Sequence, residues 1–352
     1  MSSLLIFGNG LGRSISNDFF LLEKGLEAAW NSGLVSEPQK KLISACLQDR
    51  DALIDQESSF DTVPEGEDEL RKLQQVVSAC DMIRQIEDQF PESGDNWLTD
   101  NGRAFPTAIR KFVHQTACYF LNRNTRGRGE SVSLNLNTSF VSHLNNFLIR
   151  NTATVATLNY DDLLYDAFND TEVFTGRRRL RDGFGAGGSF NFSQAERRQN
   201  MFGGGWYLQL HGTPLFINDA NGEPRKLTRR DHQNKIAQED YDGTASIHLV
   251  LTNVNYKPAI IQSSEILKTY WEKLRLILPS ATNIVLMGYG GRDNHLNDLL
   301  ASYAPEASIR VVEFSNDSEE EHLARWNGIL KGKVSKTYPM SNIQEFHSWA
   351  AE

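Results

Sequence analysis

Four apolar residues near the amino terminus, Leu4–Phe7, run directly into Gly8-Asn9-Gly10-Leu11-Gly12. That pattern reads as a buried strand ending in a tight turn, because an uninterrupted apolar run needs cover and glycine allows the sharp reversal that follows. It recurs along the chain. Thr152–Leu158 is β-branched and apolar, and leads into Asn159-Tyr160-Asp161-Asp162 and a helical run from Leu163. Trp206–Leu210 leads into His211-Gly212, Ile247–Val254 reads as a further strand, and Asn283–Met287 ends in Gly288-Tyr289-Gly290-Gly291-Arg292-Asp293. Helix Asn294–Tyr303 and strand Ile309–Phe314 complete a β-α-β alternation. The fold expected is therefore α/β, a parallel sheet with helices on both faces.

Between the first two strands the spacing changes. Phe19, Leu22, Leu26 and Ala29, then Leu70–Phe90, Ile109–Leu121 and Phe140–Leu148, follow helical periodicity. Residues 1–17 and 141–352 are accordingly assigned to the sheet-bearing domain, and 18–140 to an inserted helical region offering an oligomer or partner surface. Asp51–Asp68 and Pro91–Gly102, rich in Asp, Glu, Ser, Gly and Pro, read as loops. Arg177–Gly205 contains many glycines and few aliphatics and reads as a long mobile loop. Tyr270, Trp271 and Leu274 share one helical face that suits packing on a sheet, and Glu319–Glu321 reads as an acidic first helical turn.

Composition narrows the function. A net charge of −9 argues against a protein that coats nucleic acid, since phosphate binding draws on clustered Lys and Arg. The local exception, Arg177–Arg181, reads as a solvated or partner-facing loop. With no basic leader and no run approaching the ~20 apolar residues of a membrane span, a cytoplasmic protein is expected. The three cysteines, Cys46, Cys80 and Cys118, are widely separated, so neither a disulfide framework nor a Cys-x-x-Cys zinc pair is expected. His295, His322 and His347 have no metal-ligand spacing among themselves, and no metal site is assigned.

The turns after the strands carry the chemistry. Open α/β sheets bind ligands at the carboxyl ends of their strands, so the turns at Gly8, Asn159 and Gly288 can meet in one crevice, where helix N-termini would offer N–H groups to a pyrophosphate. Asn159 either faces a ligand or caps the helix near Asp162, and Asp161 is open to the same two readings. Ser14 suits a phosphate contact or a helix cap, Arg292 and Asp293 stand at a helix start, and Glu313 or Ser315 ends a later strand.

Taken together and in order, Gly8-Asn9-Gly10, Thr157-Leu158-Asn159-Tyr160-Asp161, Leu210-His211-Gly212 and Gly288-Tyr289-Gly290 resemble the sirtuin superfamily. The likeness is greater to its bacterial antiviral-defence branch of NAD hydrolases, where Thr-x-Asn-Tyr-Asp stands for the Thr-Gln-Asn-Ile-Asp of protein deacylases. The resemblance implies a Rossmann-like fold and catalysis by Asn159, His211 and Asp161. It implies nucleotide contacts from Gly8, Asn9, Gly10, Ser14, Thr157, Tyr160, Gly288, Tyr289, Gly290 and Asp293. Gly290 stands where that branch has serine, which removes one hydroxyl contact. The four-cysteine zinc module of the deacylases has no counterpart, because no cysteine follows Cys118. The activity implied is hydrolysis of NAD, as substrate and not as a retained cofactor, to nicotinamide and ADP-ribose. An NAD-depleting effector of anti-phage defence would need restraint, which implies a homo-oligomer or a partner such as a HerA-type ATPase or an Argonaute. The readings competing with it are a non-catalytic NAD or ADP-ribose sensor and a zinc-free deacylase or ADP-ribosyl transferase.

Overall fold

The computed structural model describes residues 2–47, 63–89, 97–121, 134–237, 247–252 and 256–350, apart from the single positions 34, 65 and 307. Strand β1 (Ser2–Phe7) precedes the helical insertion. Then come β2 (Ala153–Thr157), β3 (Tyr207–Gln209), a hairpin of β4 (Phe216–Asn218) and β5 (Pro224–Lys226), and finally β6 (Ala281–Met287), β7 (Ile309–Phe314) and β8 (Val334–Met340). Six strands form one parallel sheet in the order β3-β2-β1-β6-β7-β8. This is the 3-2-1-4-5-6 order of a Rossmann-like sheet, whose topological switch lies between the first strand and the fourth, here β1 and β6.

The alternation within β1 shows why it is central. Leu4 and Ile6 enter the core on one face, with helices Glu265–Ile277 and Asn294–Tyr303. Leu5 and Phe7 enter the core on the other, with helices Thr138–Arg150 and Leu163–Phe168. All four side chains are fully buried, each contributing about 1.5–3 kcal/mol of apolar burial. Tyr270, Trp271 and Leu274 lie buried in the first of these cores, as their spacing requires. The acidic turn at Glu319–Glu321 starts a helix capped by Ser318 in a capping box.

The insertion has a core of its own. Helices Leu22–Trp30, Glu37–Leu47, Glu67–Gln89 and Asp100–Leu121 bury Leu26, Trp30, Ile43, Leu73, Phe105 and Phe112 among themselves, and Leu249 and Leu251 join them from beyond β5. Helix Thr138–Arg150 stays with the sheet, where Phe140, Leu144 and Leu148 pack beside Leu5 and Phe7.

Two expectations are corrected. Arg177–Gly205 is not a featureless mobile loop: it holds the helix Phe192–Phe202, and Phe184, Phe190 and Phe192 pack against the core, Phe192 stacking on Trp206 at 4.3 Å. Its glycines dominated the composition, while its aromatics decided the packing. Ile247–Val254 is not a strand over its described residues, 247–252; Val250 instead donates its N–H to the carbonyl of His211 at 3.0 Å. The helix after the first turn is only Gly10–Arg13. Of the two expected loops, most of Asp51–Asp68 and half of Pro91–Gly102 lie outside the described residues, and helices begin within both, at Glu67 and Asp100.

Candidate active site

Sheet register sets the height of each turn. Phe7 pairs with Thr157 on one side and Met287 on the other, and Thr157 pairs with Gln209. The chain after each of these residues therefore leaves the sheet at one level, which brings Gly8, Asn159, His211 and Gly288 to the same carboxyl edge. At the switch point the glycines serve one another. Gly10 N–H donates to Gly288 O at 2.8 Å, and a Cβ on Gly8 or Gly10 would fall 2.6 Å from the Cα of Tyr289 or Gly288. Only glycine lets these two turns touch.

Asn159 caps nothing. Its Nδ2 donates to Gly8 O across the sheet at 3.2 Å, its N–H is taken by Thr157 Oγ1 at 3.1 Å, and its buried Oδ1 has no hydrogen-bond partner among the described residues. A buried acceptor left open is costly unless something else fills it. Asp161 lies one residue before the N-cap, Asp162, of helix Leu163–Phe168, and its Oδ1 accepts from Leu163 N at 3.0 Å.

His211 reaches the edge through its neighbours. Leu210 N–H bonds Thr157 O at 2.8 Å, and Trp271 Nε1 donates to Leu210 O at 2.9 Å. Gly212 then turns with φ +78°, where an added Cβ would lie 1.7 Å from His248 O. The His211 ring lies beside Tyr160, with centroids 6.3 Å apart, and the Tyr160 hydroxyl is fixed by donation to Val250 O at 2.5 Å. His211 Nε2 is 3.0 Å from Asp293 Oδ2, which also takes Lys257 Nζ at 3.2 Å. Burial alone would raise the Asp293 pKa, but the hydrogen bond and charge of His211 and the ammonium of Lys257 hold it well below the ordinary carboxylate range. An anionic Asp293 accepts the Nε2 proton, so Nδ1 is left as the basic nitrogen. Asp293 Oδ1 accepts from Leu296 N at 3.1 Å, so one carboxylate both starts helix Asn294–Tyr303 and orients the imidazole.

The other sequence-chosen residues divide. Thr157 and Tyr160 stand beside Asn159 and His211, as described. Tyr289 is buried against Trp326, and its hydroxyl is 2.8 Å from the Asp293 carbonyl oxygen. Gly290 takes φ +74°, a conformation that suits glycine where a serine was expected from the resemblance. Asn9 turns away, donating to Phe20 O at 2.8 Å. Ser14 closes the short helix instead of starting one, donating to Leu11 O at 2.7 Å while accepting from Gln344 Nε2 at 3.1 Å. Glu313 binds His322 Nε2 at 2.9 Å, Trp326 Nε1 at 3.0 Å and Arg325. Lys257 escaped sequence reasoning, because a lysine before proline carries no signal of an ion pair made 36 residues later. A cavity of about 420 Å³ opens elsewhere, lined by Arg179, Arg181, Asp182 and Arg198 among others, with neither Asn159 nor His211 in its wall.

Residues 153–327 match the SIR2-like domain. The match spans β2 to the helix after β7 and takes in Asn159, His211, Lys257, Gly288 and Asp293. It supports a sirtuin-like assignment, and SIR2-like proteins are NAD-dependent enzymes. Strand β1 and its Gly8 turn lie outside the SIR2-like stretch, yet they occupy the middle of the sheet. No curated protein gives a significant match to the chain.

Proposed function

We propose that this chain is an NAD glycohydrolase that cleaves the nicotinamide–ribose bond with water. The observation that carries the reading is the meeting, at one sheet edge, of the Asn159 Oδ1, unpartnered among the described residues, with a histidine held by a buried carboxylate. Departure of nicotinamide leaves positive charge on the ribose, while the bonding pair returns to the pyridinium nitrogen and neutralises it. The leaving group therefore needs no acid. What the site must supply is a fixed water and a base. Asn159 Oδ1 accepts from that water or from a ribose hydroxyl, and its Nδ2, anchored on Gly8 O, prevents rotation. His211 Nδ1 takes the proton as the water adds to the anomeric carbon, and Asp293 stabilises the imidazolium that results. Asp161, whose Oδ1 accepts from Leu163 N, has a positioning role for the turn that carries Asn159 and Tyr160.

An NAD-depleting part in anti-phage defence follows from the sequence likeness, with assembly through the helical insertion or a HerA-type partner as the restraint. The test is release of nicotinamide from NAD by the purified chain and by Asn159→Ala and His211→Ala. Each variant is expected to lose about 10²–10⁴-fold in turnover with NAD binding retained. Full turnover in either variant would overturn these roles, and NAD binding without turnover in the wild type would favour the sensor.

A further inference from the structure

Away from the sheet edge, the helical insertion meets the rest of the molecule at a second group of chemically able side chains. His114 and Cys118 lie one turn apart on helix Asp100–Leu121, and His232 comes from helix Arg229–Ala237. All three are buried, at 0%, 2% and 3% exposure. Their reach is set from both sides. Helix Asp100–Leu121 is held by the insertion's core, and Arg229 ties the other helix to Asp166 at 2.9 Å and to Asp162.

The donor atoms form a small triangle. His114 Nε2 is 3.4 Å from His232 Nε2, His232 Nε2 is 3.7 Å from Cys118 Sγ, and Cys118 Sγ is 3.8 Å from His114 Nε2 and 3.4 Å from its Nδ1, so the His114 ring turns to aim Nε2 at a shared ion. A tetrahedral ion with ordinary zinc–nitrogen and zinc–sulfur bonds has N–N edges of about 3.3 Å and N–S edges of about 3.6 Å. The nitrogen pair is longer than the about 3 Å of a good nitrogen hydrogen bond, and each edge is within a few tenths of an ångström of the tetrahedral value. We propose that His114, Cys118 and His232 form a zinc(II) site that staples the helical insertion to the SIR2-like region.

The donor set, two imidazoles and a thiol, is that of a borderline metal and not of calcium or magnesium. A neutral imidazole offers one nitrogen lone pair, and at His114, whose Nε2 donates to the Pro214 carbonyl oxygen at 3.2 Å, binding through Nε2 moves the ring proton to Nδ1. Binding releases one proton: the Cys118 thiol gives its hydrogen to water and its sulfur bonds the ion as thiolate. The Pro214 carbonyl oxygen lies 3.2 Å from His114 Nε2, where it or a water would take the fourth position. Pro214 follows His211 by three residues, so the staple would also brace the loop that carries the histidine.

The full-length chain, expressed with added zinc, is expected to hold one zinc per chain by elemental mass spectrometry, and Cys118→Ser and His232→Gln to hold none. Cobalt(II) added to the chelator-treated chain should give a thiolate-to-cobalt charge-transfer band that Cys118→Ser abolishes. Chelation should lower the melting temperature of the wild type but not of His232→Gln. None of these readouts depends on NAD turnover. A wild-type chain with native circular dichroism that retains no zinc and shows no cobalt band would overturn the site in favour of a hydrogen-bonded triad. A chain that retains copper alone would overturn its assignment to zinc.

Discussion

The sheet edge and the helical insertion are built on opposite terms. At the edge, turns from β1, β2, β3 and β6 touch through backbone, so that Gly10 binds Gly288 and Gly212 lies against His248 with no room for a side chain. In the insertion, four helices bury side chains in a core joined by Leu249 and Leu251, and the described residues leave open space where a Cβ on Gly66 would go. One region depends on where the main chain passes, the other on which apolar faces meet. The proposed hydrolysis needs the first kind, because an imidazole and an amide must be held to fractions of an ångström, whereas a core of packed apolar faces tolerates repacking.

The sharpest way to break this contrast is a pair of alanines. Gly212→Ala combines positive φ with a backbone clash and should cost about 4 kcal/mol or more, whereas Gly66→Ala should cost about 0.5 kcal/mol or less. Chemical denaturation measures both, and equal costs would erase the distinction. Next in size, Asp293→Asn leaves the helix cap but removes the anion beside His211. We expect kcat to fall about a hundredfold with KM nearly unchanged, and an unchanged kcat would reduce Asp293 to a cap.

A pH series tests the seam. His248 is bonded to Ser264 and Asn218 at 2.8 and 2.9 Å, and burial lowers its pKa to about 4. The unfolded chain takes up that proton near pH 6.5, the folded chain only near pH 4. The stabilisation is therefore whole above about pH 6.5 and is lost as the pH falls towards 4. Between pH 7.5 and 5 the share of the loss due to His248 should be about 2 kcal/mol, and His248→Gln should remove that share from the stability profile. The smallest effect is expected at Glu67, whose carboxylate is 41% exposed and pairs with Lys257 at 3.4 Å across the two regions. Glu67→Gln should change turnover by about twofold or less, since exposed pairs contribute less than about 1 kcal/mol. A larger change would mean that the insertion acts on the site through Lys257.

What was legible in the sequence follows the same division. Leu4–Phe7, Asn283–Met287 and Asn294–Tyr303 were readable because short apolar runs, glycine turns and an N-capping aspartate are local signals, and β6 differs from its expected range only by starting at Ala281. Arg177–Gly205 and Ile247–Val254 were misread because their structure depends on distant cover: Phe192 on Trp206, and Val250 on His211. Of the candidate site, Asn159, His211 and Asp293 were named in advance, but Asp293 as a nucleotide contact and not as the partner of His211.

By itself the sequence determined an α/β chain whose polar turns follow buried strands, since those properties depend on neighbours a few residues apart. Tertiary structure alone decided that β1 lies between β2 and β6, that Lys257 and His211 share one carboxylate, and that His114, Cys118 and His232 converge. Those pairings join residues tens to hundreds of positions apart. Their geometry is set by sheet order and core packing, which no local pattern encodes.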